Sequence, residues 1–300
     1  MSIRAALLSF ILKRTLKKQF DTIEDVVSFR QKMTEAGSLG GDTPDRINIV
    51  PQVLNGVPCE WVTTEKTDQN QVLLYLHGGG YVFGSPESHR DLAWRLADES
   101  GMRVLMVDYR LAPENPFPAA LDDTTQCYRW LLDEGFSPNS IAIGGDSAGG
   151  GLALASLVNM KNLGLTLPNS GILLSPWLDL SVSGESLETN ADADAILTPY
   201  ALRSMAEHYL GGLDRTAALA SPLFADLSDL PPLLIHVGST EILLSDTERV
   251  RDIIKESGGQ VITKIWPKMP HVFQVLASRI PEGKVAISEL STFLKDNLAS

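Results

Sequence analysis

The sequence has 300 residues, of which 44% are hydrophobic, and it carries a formal net charge of −12. A chain of this length and apolar content can fill the core of one α/β domain with an elaboration, and its acidic balance argues against binding to nucleic acid. The two cysteines, Cys59 and Cys127, have neither metal-site nor disulfide-framework spacing, so we expect no metal, no cofactor and a cytoplasmic protein from a reducing compartment.

The first twenty residues are basic, with five lysines or arginines and no acid, although the rest of the chain is strongly acidic. The apolar run AALLSFIL is too short to span a membrane, and no small-residue cleavage site follows it. An apolar set recurs there at helical spacing: Ile3, Ala6, Leu7, Phe10 and Ile11. We expect this face to pack on the protein, and we keep weak membrane-surface contact through residues 1–20 as the alternative.

Short apolar runs rich in β-forming residues alternate with longer helical patterns along most of the chain. The apolar runs are VLLYL (72–76), VLMVDY (104–109), IAIGG (141–145), ILLS (172–175), LLIHVG (233–238) and VITKIW (261–266). The helical patterns lie near residues 87–100, 119–134, 148–162, 245–257 and 282–297. This rhythm predicts a mostly parallel sheet with helices on both faces, preceded by an antiparallel edge hairpin from INIVPQVL and VPCEWVT.

Two regions stand outside this alternation, residues 1–45 and residues 182–214. We expect them to form one helical cap over a catalytic core made of residues 46–181 and 215–300. Ligands in such sheets bind at the carboxyl ends of the strands, so a cap at that end would shape a pocket.

Ser147 is the central residue of a G-x-S-x-G pattern, Gly145 to Gly149. The pattern follows the apolar strand IAIGG and opens the small-residue helix AGGGLALASLV, which is the setting of a nucleophile elbow. The alternative is a glycine-rich turn that only packs a helix on a strand.

A second glycine cluster, His77-Gly78-Gly79-Gly80, follows the strand VLLYL. Bare glycines let backbone N–H groups face a developing oxyanion, and we assign the donors to Gly79, Gly80 and Ala148. The alternative is a phosphate-binding loop, but no Gly-Lys-Ser/Thr follows and the cluster does not complete G-x-G-x-x-G. We expect His77 to brace the loop.

His271 is the candidate general base among five histidines, because its loop follows the last strand. We expect His89 and His208 at the surface or in the cap, and His236 inside the core, from the polarity of the stretches that contain them.

Several motifs together resemble the hormone-sensitive lipase family of α/β-hydrolases, also called bacterial lipolytic family IV. They are HGGGYVFGS, DYRLAPENPFPAALDD, GDSAGGGLA, SPWLDLS and MPHVF. The resemblance implies an eight-stranded α/β-hydrolase sheet, a helical cap, and serine carboxylesterase activity on short- to medium-chain acyl esters. It also favours a homodimer. The segment ADADAILT resembles a cap segment of the family, which makes Asp192 and Asp194 structural rather than metal ligands.

Two acids, Glu241 and Asp246, compete for the third place in a serine triad. The family motif D-P-L-x-D is replaced here by Glu241-Ile242-Leu243-Leu244-Ser245, so the resemblance places Glu241 at the catalytic position. Asp246 has a structural explanation, because Ser245-Asp246-Thr247-Glu248 is a capping box with Ser245 as the predicted N-cap. We therefore predict a triad of Ser147, Glu241 and His271.

The substrate pocket has candidate residues near the nucleophile and in the cap. We expect Trp177 to form a wall near the nucleophile, and Met205, Tyr209 and Leu210 to line the pocket from the cap or to pack cap on core. The expected partner is a small-molecule ester. The alternatives are an amidase or peptidase with the same triad, and a non-catalytic ligand-binding protein of this fold.

Overall fold

The computed structural model describes residues 1–21, 23, 25–37 and 39–298, without the side chain of residue 36. Within these residues, eight strands form one sheet in the order β1-β2-β4-β3-β5-β6-β7-β8. The strands are β1 (Asn48–Leu54), β2 (Val57–Thr63), β3 (Asp68–Leu76), β4 (Met102–Val107), β5 (Ile141–Asp146), β6 (Ser170–Leu174), β7 (Leu233–Gly238) and β8 (Val261–Trp266).

The same part of the chain contains ten α-helices. They are α1 (Ile3–Arg14), α2 (Leu16–Phe20), α3 (Val26–Ala36), α4 (Pro86–Ser100), α5 (Ala119–Asp133), α6 (Ala148–Asn162), α7 (Ser186–Thr189), α8 (Pro199–Leu210), α9 (Leu244–Glu256) and α10 (Pro281–Leu298). None of these described helices has the length and apolar character that crossing a bilayer requires.

Strands β3 to β8 pair in parallel, whereas β1 and β2 pair antiparallel at one edge. Successive residues of β3 face opposite layers: Leu74 belongs to the buried layer that includes α5 and α6, and Tyr75 to the layer that includes α4 and α10. Because helices cover both faces, β5, β6 and β7 are continuously buried runs rather than alternating ones. The predicted eight-stranded, mostly parallel sheet flanked by helices is confirmed.

The edge hairpin turns at Asn55 and Gly56, which have φ values of 48° and 87°. Positive φ at both central residues is what a type I′ turn needs, and asparagine followed by glycine meets that requirement most easily. The turn therefore fixes the register in which Leu54 lies opposite Val57.

Two cysteines that are 68 residues apart in the chain meet inside the protein. Cys59 on β2 and Cys127 on α5 are both buried, with their sulfur atoms 3.5 Å apart as free thiols. Sequence spacing could not reveal this pairing, because it arises from the packing of α5 on the edge hairpin.

Helix α1 packs with a face other than the predicted one. Ala5 and Leu12 are buried, with Leu8 partly buried beside them, whereas Ile3 and Leu7 are 89% and 61% exposed. Phe10 and Ile11 also face outward. The expectation that this face packs on the protein is wrong, because α1 carries apolar residues on two sides and periodicity could not choose between them.

The N-terminal helices and the segment before β7 contact each other above the carboxyl ends of the strands. Lys17 Nζ donates to the carbonyl oxygens of Ala191 and Asp194, at 2.5 and 2.9 Å, and the Tyr200 hydroxyl donates to Ile23 O at 3.0 Å. These contacts support a cap made of residues 1–45 and 182–214, although that division, like the core boundaries, stays a prediction. Residues 22, 24, 38, 299 and 300 lie outside the described part of those ranges.

Candidate active site

Ser147 lies in the turn between β5 and α6, with φ 54° and ψ −121°, a conformation that non-glycine residues rarely adopt. The surrounding backbone holds it there: Ser147 N donates to Leu174 O at 2.8 Å, and Ser147 O accepts from Trp177 N at 2.9 Å. A Cβ on Gly149 would lie 2.0 Å from Leu76 O, so the tight turn excludes a side chain at that position. The strained elbow therefore fixes where the Ser147 hydroxyl points.

His271 stands between Ser147 and Glu241. Its Nε2 lies 2.8 Å from Ser147 Oγ, and its Nδ1 lies 2.7 Å from Glu241 Oε2. With Nδ1–H donating to the carboxylate, Nε2 is free to accept the serine proton. The structure thus brings together all three residues of the predicted triad.

Glu241 is fully buried and has two further donors. Its Oε1 accepts from Ser175 Oγ at 2.7 Å and from the N–H of Gly238. Ser175 Oγ in turn accepts from Val272 N at 3.2 Å, next to His271. Ser175 therefore ties the acid to the loop that carries the base. Sequence reasoning missed this role, although Ser175 directly follows β6 at the carboxyl edge of the sheet.

The charge on Glu241 affects the basicity of His271. Burial of the imidazole opposes its protonation, but the hydrogen bond and the charge of Glu241 outweigh burial and raise the pKa of His271 above its usual value. Asp194 and Asp146 add to this effect through their charges. The arrangement therefore stabilises the imidazolium form of His271, which arises when the imidazole takes the proton of Ser147.

Asp246 lies elsewhere, in the first turn of α9. Its Oδ2 accepts from the backbone N–H groups of Leu178 and Asp179, at 2.8 and 3.0 Å. Burial raises the pKa of Asp246 to about 7, against the lowering effect of these two hydrogen bonds. Its contacts support the loop after β6 rather than His271.

The predicted N-cap at Ser245 is wrong. Helix α9 begins at Leu244, its N-cap is Leu243, and no side chain caps it. Ser245 instead exchanges two hydrogen bonds with Ser186: Ser186 N donates to Ser245 Oγ at 2.8 Å, and Ser245 N donates to Ser186 Oγ at 2.9 Å. A partner from a distant segment outcompetes the local capping box.

The glycine loop after β3 faces the same cavity as Ser147 and His271. Gly79 and Gly80 have positive φ values of 128° and 59°, and within the described residues their N–H groups donate to no protein acceptor. Ala148 is the first residue of α6, where a backbone N–H has no partner inside the helix. These three N–H groups are available to a bound oxyanion. His77 braces the loop, because its Nδ1 lies 2.8 Å from Gly78 O and its ring stacks on Tyr109 at 4.2 Å.

A cavity of about 610 Å³ lies over Ser147 and His271, and Trp177 and Met205 line it as predicted. Tyr209 and Leu210 are not among its lining residues, so of their two expected roles the structure favours packing between cap and core. Tyr209 stacks on Tyr81 with ring centroids 3.7 Å apart, and Leu210 is buried in the core. Both side chains join the cap to the core.

Further apolar residues of the cavity wall come from the two predicted cap regions and from the glycine loop. They include Leu12, Leu16, Phe20, Met33, Phe83, Ile196, Leu197 and Leu202. Their common feature is an origin in α1 to α3, in the glycine loop or in the segment around α8. The place of Phe20 in the predicted cap region made it a candidate, whereas the others are brought to the cavity by tertiary packing that no local pattern shows.

His236, Asp194 and His89 lie outside the triad, and their contacts test the roles predicted for them. His236 is buried in the core, as predicted. Asp194 accepts from the backbone N–H groups of Ile196, Leu197 and Ile242, which agrees with a structural role. The expectation for His89 is wrong: its side chain is only 12% exposed, and its Nε2 lies 3.3 Å from Asp146 Oδ2. The polar PESHRD stretch predicted an exposed position, although the side chain of His89 faces inward.

Comparison with known proteins shows what this chain is similar to. A family model of the α/β hydrolase fold matches residues 73–275. The chain is similar to an acetyl-hydrolase from Streptomyces hygroscopicus, with 44% identity over 90% of this chain and 88% of the relative. It is also similar to an esterase from Acinetobacter venetianus, with 39% identity and 82% of each chain covered.

Two solved structures show the same likeness in three dimensions. The crystal structure of EstE5 soaked with p-nitrophenyl butyrate has a TM-score of 0.95 and 39% identity, over the full length of both chains. The structure of an esterase from the bacterial hormone-sensitive lipase family has a TM-score of 0.93 and 41% identity, over 99% of each chain.

Proposed function

The chain belongs to the hormone-sensitive lipase family of α/β-hydrolases and is a carboxylic ester hydrolase, and from this premise we propose that a Ser147-His271-Glu241 triad carries its activity. The observation that supports this assignment is the position of His271, within hydrogen-bond distance of both other side chains. Geometry of this kind is what identifies a serine triad on any fold.

In the first half of the reaction, His271 Nε2 removes the proton from Ser147 Oγ while the oxygen attacks the ester carbonyl carbon. The carbonyl electron pair moves onto oxygen, and the N–H groups of Gly79, Gly80 and Ala148 stabilise the resulting oxyanion. The C–O bond to the alcohol then breaks, and His271 gives its proton to the leaving alkoxide. An acyl group remains on Ser147.

In the second half, His271 takes a proton from water, which attacks the acyl carbon. Collapse of the second tetrahedral intermediate releases the acid, and His271 returns the proton to Ser147. Throughout, Glu241 fixes the tautomer of His271 and stabilises its positive charge. Ser175 is a positioning residue, because its hydroxyl donates to Glu241 and accepts from the loop of the base.

The test is Ser147→Ala, which should fold normally and lose turnover of p-nitrophenyl butyrate. A matched control is Ser288→Ala on the exposed face of α10, far along the chain from the elbow, which should keep full activity. Near-normal turnover by Ser147→Ala would overturn the assignment of the nucleophile.

Esters with short to medium acyl chains are the proposed substrates. A cavity of about 610 Å³ with apolar walls suits such groups, and the relatives include an acetyl-hydrolase and a structure soaked with p-nitrophenyl butyrate. A series of p-nitrophenyl esters of rising chain length, run beside a matching p-nitroanilide, measures the preference. Faster turnover of the anilide would favour the amidase or peptidase alternative, and binding without turnover of any substrate would favour a ligand-binding protein.

Weak membrane-surface contact through residues 1–20 stays part of the proposal. Its support is the exposed stripe of Ile3, Leu7, Phe10 and Ile11 on a helix with basic neighbours. Leu7→Ser/Phe10→Ser should weaken co-sedimentation with phosphatidylglycerol vesicles, whereas Val285→Ser, which removes an exposed apolar side chain on α10, should not. Absence of binding by the unmodified protein would remove the idea.

A homodimer and a cytoplasmic location also remain proposals. The dimer rests on the family resemblance alone, and light scattering of the purified protein would test it. The cytoplasmic location rests on the use of only two cysteines, which fits a reducing compartment, and cell fractionation would test it.

A further inference from the structure

Asp146 connects the nucleophile elbow to the glycine loop. It directly precedes Ser147, and its buried carboxylate accepts from the Gly78 N–H at 3.1 Å and from the Tyr75 hydroxyl at 3.0 Å, both through Oδ1. Gly78 directly precedes Gly79, the first proposed oxyanion donor. A Cβ on Gly78 would lie 2.2 Å from Asp146 Oδ2, so only a bare backbone allows this approach.

His89 of α4 faces the second oxygen of the same carboxylate. Its Nε2 lies 3.3 Å from Asp146 Oδ2, and its Nδ1 lies 2.8 Å from Ser88 Oγ and 3.3 Å from Ser85 O. The Ser88 hydroxyl donates to Ser85 O at 2.7 Å and accepts from Ser85 N at 3.1 Å, and Ser85 O is the carbonyl acceptor that faces His89 Nδ1. Both ring nitrogens therefore face acceptors, which suits the imidazolium form with two N–H donors.

A charged partner is needed at this position, because a buried carboxylate without one is strongly disfavoured. Burial opposes the charge on His89, but Asp146 outweighs it and raises the pKa of His89 above its usual value. Burial likewise opposes the charge on Asp146, and His89 with Tyr75 lowers the pKa of Asp146 overall. The structure supports an ionised pair.

The other titratable groups around the pair do not replace it. His77 lies at the end of β3, with its ring 5.7 Å from that of His89, and burial lowers the pKa of His77 to about 3, so it stays neutral. Tyr75 on β3 is a neutral donor, because burial and Asp146 raise the pKa of its hydroxyl. His271 interacts with Asp146 through charge, but its nitrogens are directed to Glu241 and Ser147.

We propose that Asp146 and His89 form a positioning pair that sets the position of the glycine loop, with its proposed oxyanion donors, relative to Ser147. The carboxylate holds Gly78, and His89 holds the carboxylate in its ionised form and fixed orientation. The inference rests on the proposed triad and oxyanion donors; both residues of the pair line the cavity, but among the described contacts of Ser147 Oγ and His271 their side chains form no hydrogen bond to either. Because the oxyanion develops only in the transition state, a displaced loop should lower kcat and leave KM nearly unchanged.

The test is His89→Gln, whose amide nitrogen can occupy the place of Nε2 and keep a hydrogen-bond donor without a charge. At pH 6, kcat should fall by about tenfold to a hundredfold, less than the 10²–10³ that follows removal of a whole oxyanion donor. The deficit should shrink as pH rises through the pKa of His89, because the unmodified protein then also has a neutral side chain there. A deficit that is the same at every pH, or one confined to KM, would overturn the proposal.

Two further variants separate charge from packing. Tyr75→Phe removes a donor to the same carboxylate without removing a charge, so its smaller loss of kcat should not depend on pH. His208→Gln on α8 is the matched histidine control, and it should leave both constants unchanged. If His89→Gln does not fold, Tyr75→Phe still tests the pair: full activity of that variant would mean that the carboxylate does not position the loop.

The outcome is distinguishable from a failure of the proposed triad. An active Ser147→Ala variant would overturn the triad, whatever His89→Gln does. An inactive Ser147→Ala variant together with a fully active His89→Gln variant would overturn the positioning pair alone.

Discussion

Glu241 orients His271 from the turn that follows β7, and its second oxygen is bound by Ser175 and Gly238. These donors keep the carboxylate from rotating away from the imidazole. The side chain is fully buried, so its charge acts on His271 with little screening from water. Both the geometry and the basicity of His271 thus depend on one carboxylate.

Replacing this carboxylate by an amide should separate the two effects. Glu241→Gln should lower kcat by about 10² to 10⁴, because an amide N–H facing Nδ1 favours the wrong tautomer. It should also lower the pKa of His271, since Glu241 contributes most among the groups that raise it. Activity is lost as pH falls through the pKa of His271, so the acid limb of kcat/KM should move to lower pH. A limb that moves to higher pH, or an unchanged kcat, would contradict the assignment.

Asp246 should show the opposite pattern, with a pH-dependent stability and nearly normal activity. Its pKa is about 7 in the folded protein and 3.8 in an ordinary setting, so the folded state binds the proton more tightly. This side chain therefore makes the free energy of unfolding fall as pH rises from about 4 to about 7. Asp246→Asn keeps an acceptor without the charge and should lack this dependence.

Urea unfolding of both proteins at pH 5 and pH 8 measures the difference. At pH 5 the variant should lose about 1 kcal/mol or less, and at pH 8 it should gain relative to the unmodified protein. An equal difference at both pH values would argue against a raised pKa, and a large fall in kcat would give Asp246 a part in the triad.

At the scale of elements, α8 forms part of the cavity wall and also supports the glycine loop. A Cβ on Gly80 would lie 2.1 Å from Met205 Sδ, which shows how closely this helix approaches the loop. One turn later, Tyr209 stacks on Tyr81. Met205 is thus, with Leu202, a residue of α8 that lines the cavity, and Tyr209 is a residue that fixes the helix to Tyr81.

Shortening Met205 should change acyl-chain preference. Met205→Ala enlarges the cavity and should move the optimum of kcat/KM in the p-nitrophenyl ester series toward longer chains. Leu210→Ala is the control, because it removes a buried side chain of the same helix outside the cavity and should cost stability, about 2 to 5 kcal/mol, without moving the optimum. An equal shift in both variants would point to loosening of α8 rather than cavity size.

The elements that periodicity predicts well are those with a single apolar pattern. Strands β7 and β8 match the predicted runs residue for residue, and α6 matches 148–162, because each combines an unambiguous pattern with clear boundaries. The predicted packing face of α1 is wrong because the helix has two apolar stripes, one containing Leu7 and the other containing Leu12. The cap at Ser245 was wrong because Ser186, 59 residues away in the chain, binds it. Local rules fail where a distant partner decides.

At the scale of the whole molecule, the sheet positions the candidate triad, and the helices above it form the cavity walls. Ser147, Glu241 and His271 follow β5, β7 and β8, three parallel strands of the same half of the sheet, so strand order and motif together could predict that they meet. The cavity walls and the inward face of His89 depend instead on how α1 to α4 and α8 pack over that edge. Arg30 of α3 illustrates this, because its guanidinium donates to Val82 O and Ala112 O, both at 2.6 Å. No sequence pattern joins those positions.

Because Cys59 and Cys127 meet in a buried position, the reactivity of their thiols reports on unfolding. Both thiols lie between β2 and α5 and are closed to solvent, so a reagent such as iodoacetamide can reach them only when the edge hairpin and α5 separate. Under native conditions alkylation should be slow, and in urea two groups per chain should be added quickly, as mass spectrometry would show. Rapid native alkylation with activity retained would mean that this edge opens independently of the active site. The rate of alkylation therefore measures how often the sheet edge opens, without any introduced probe.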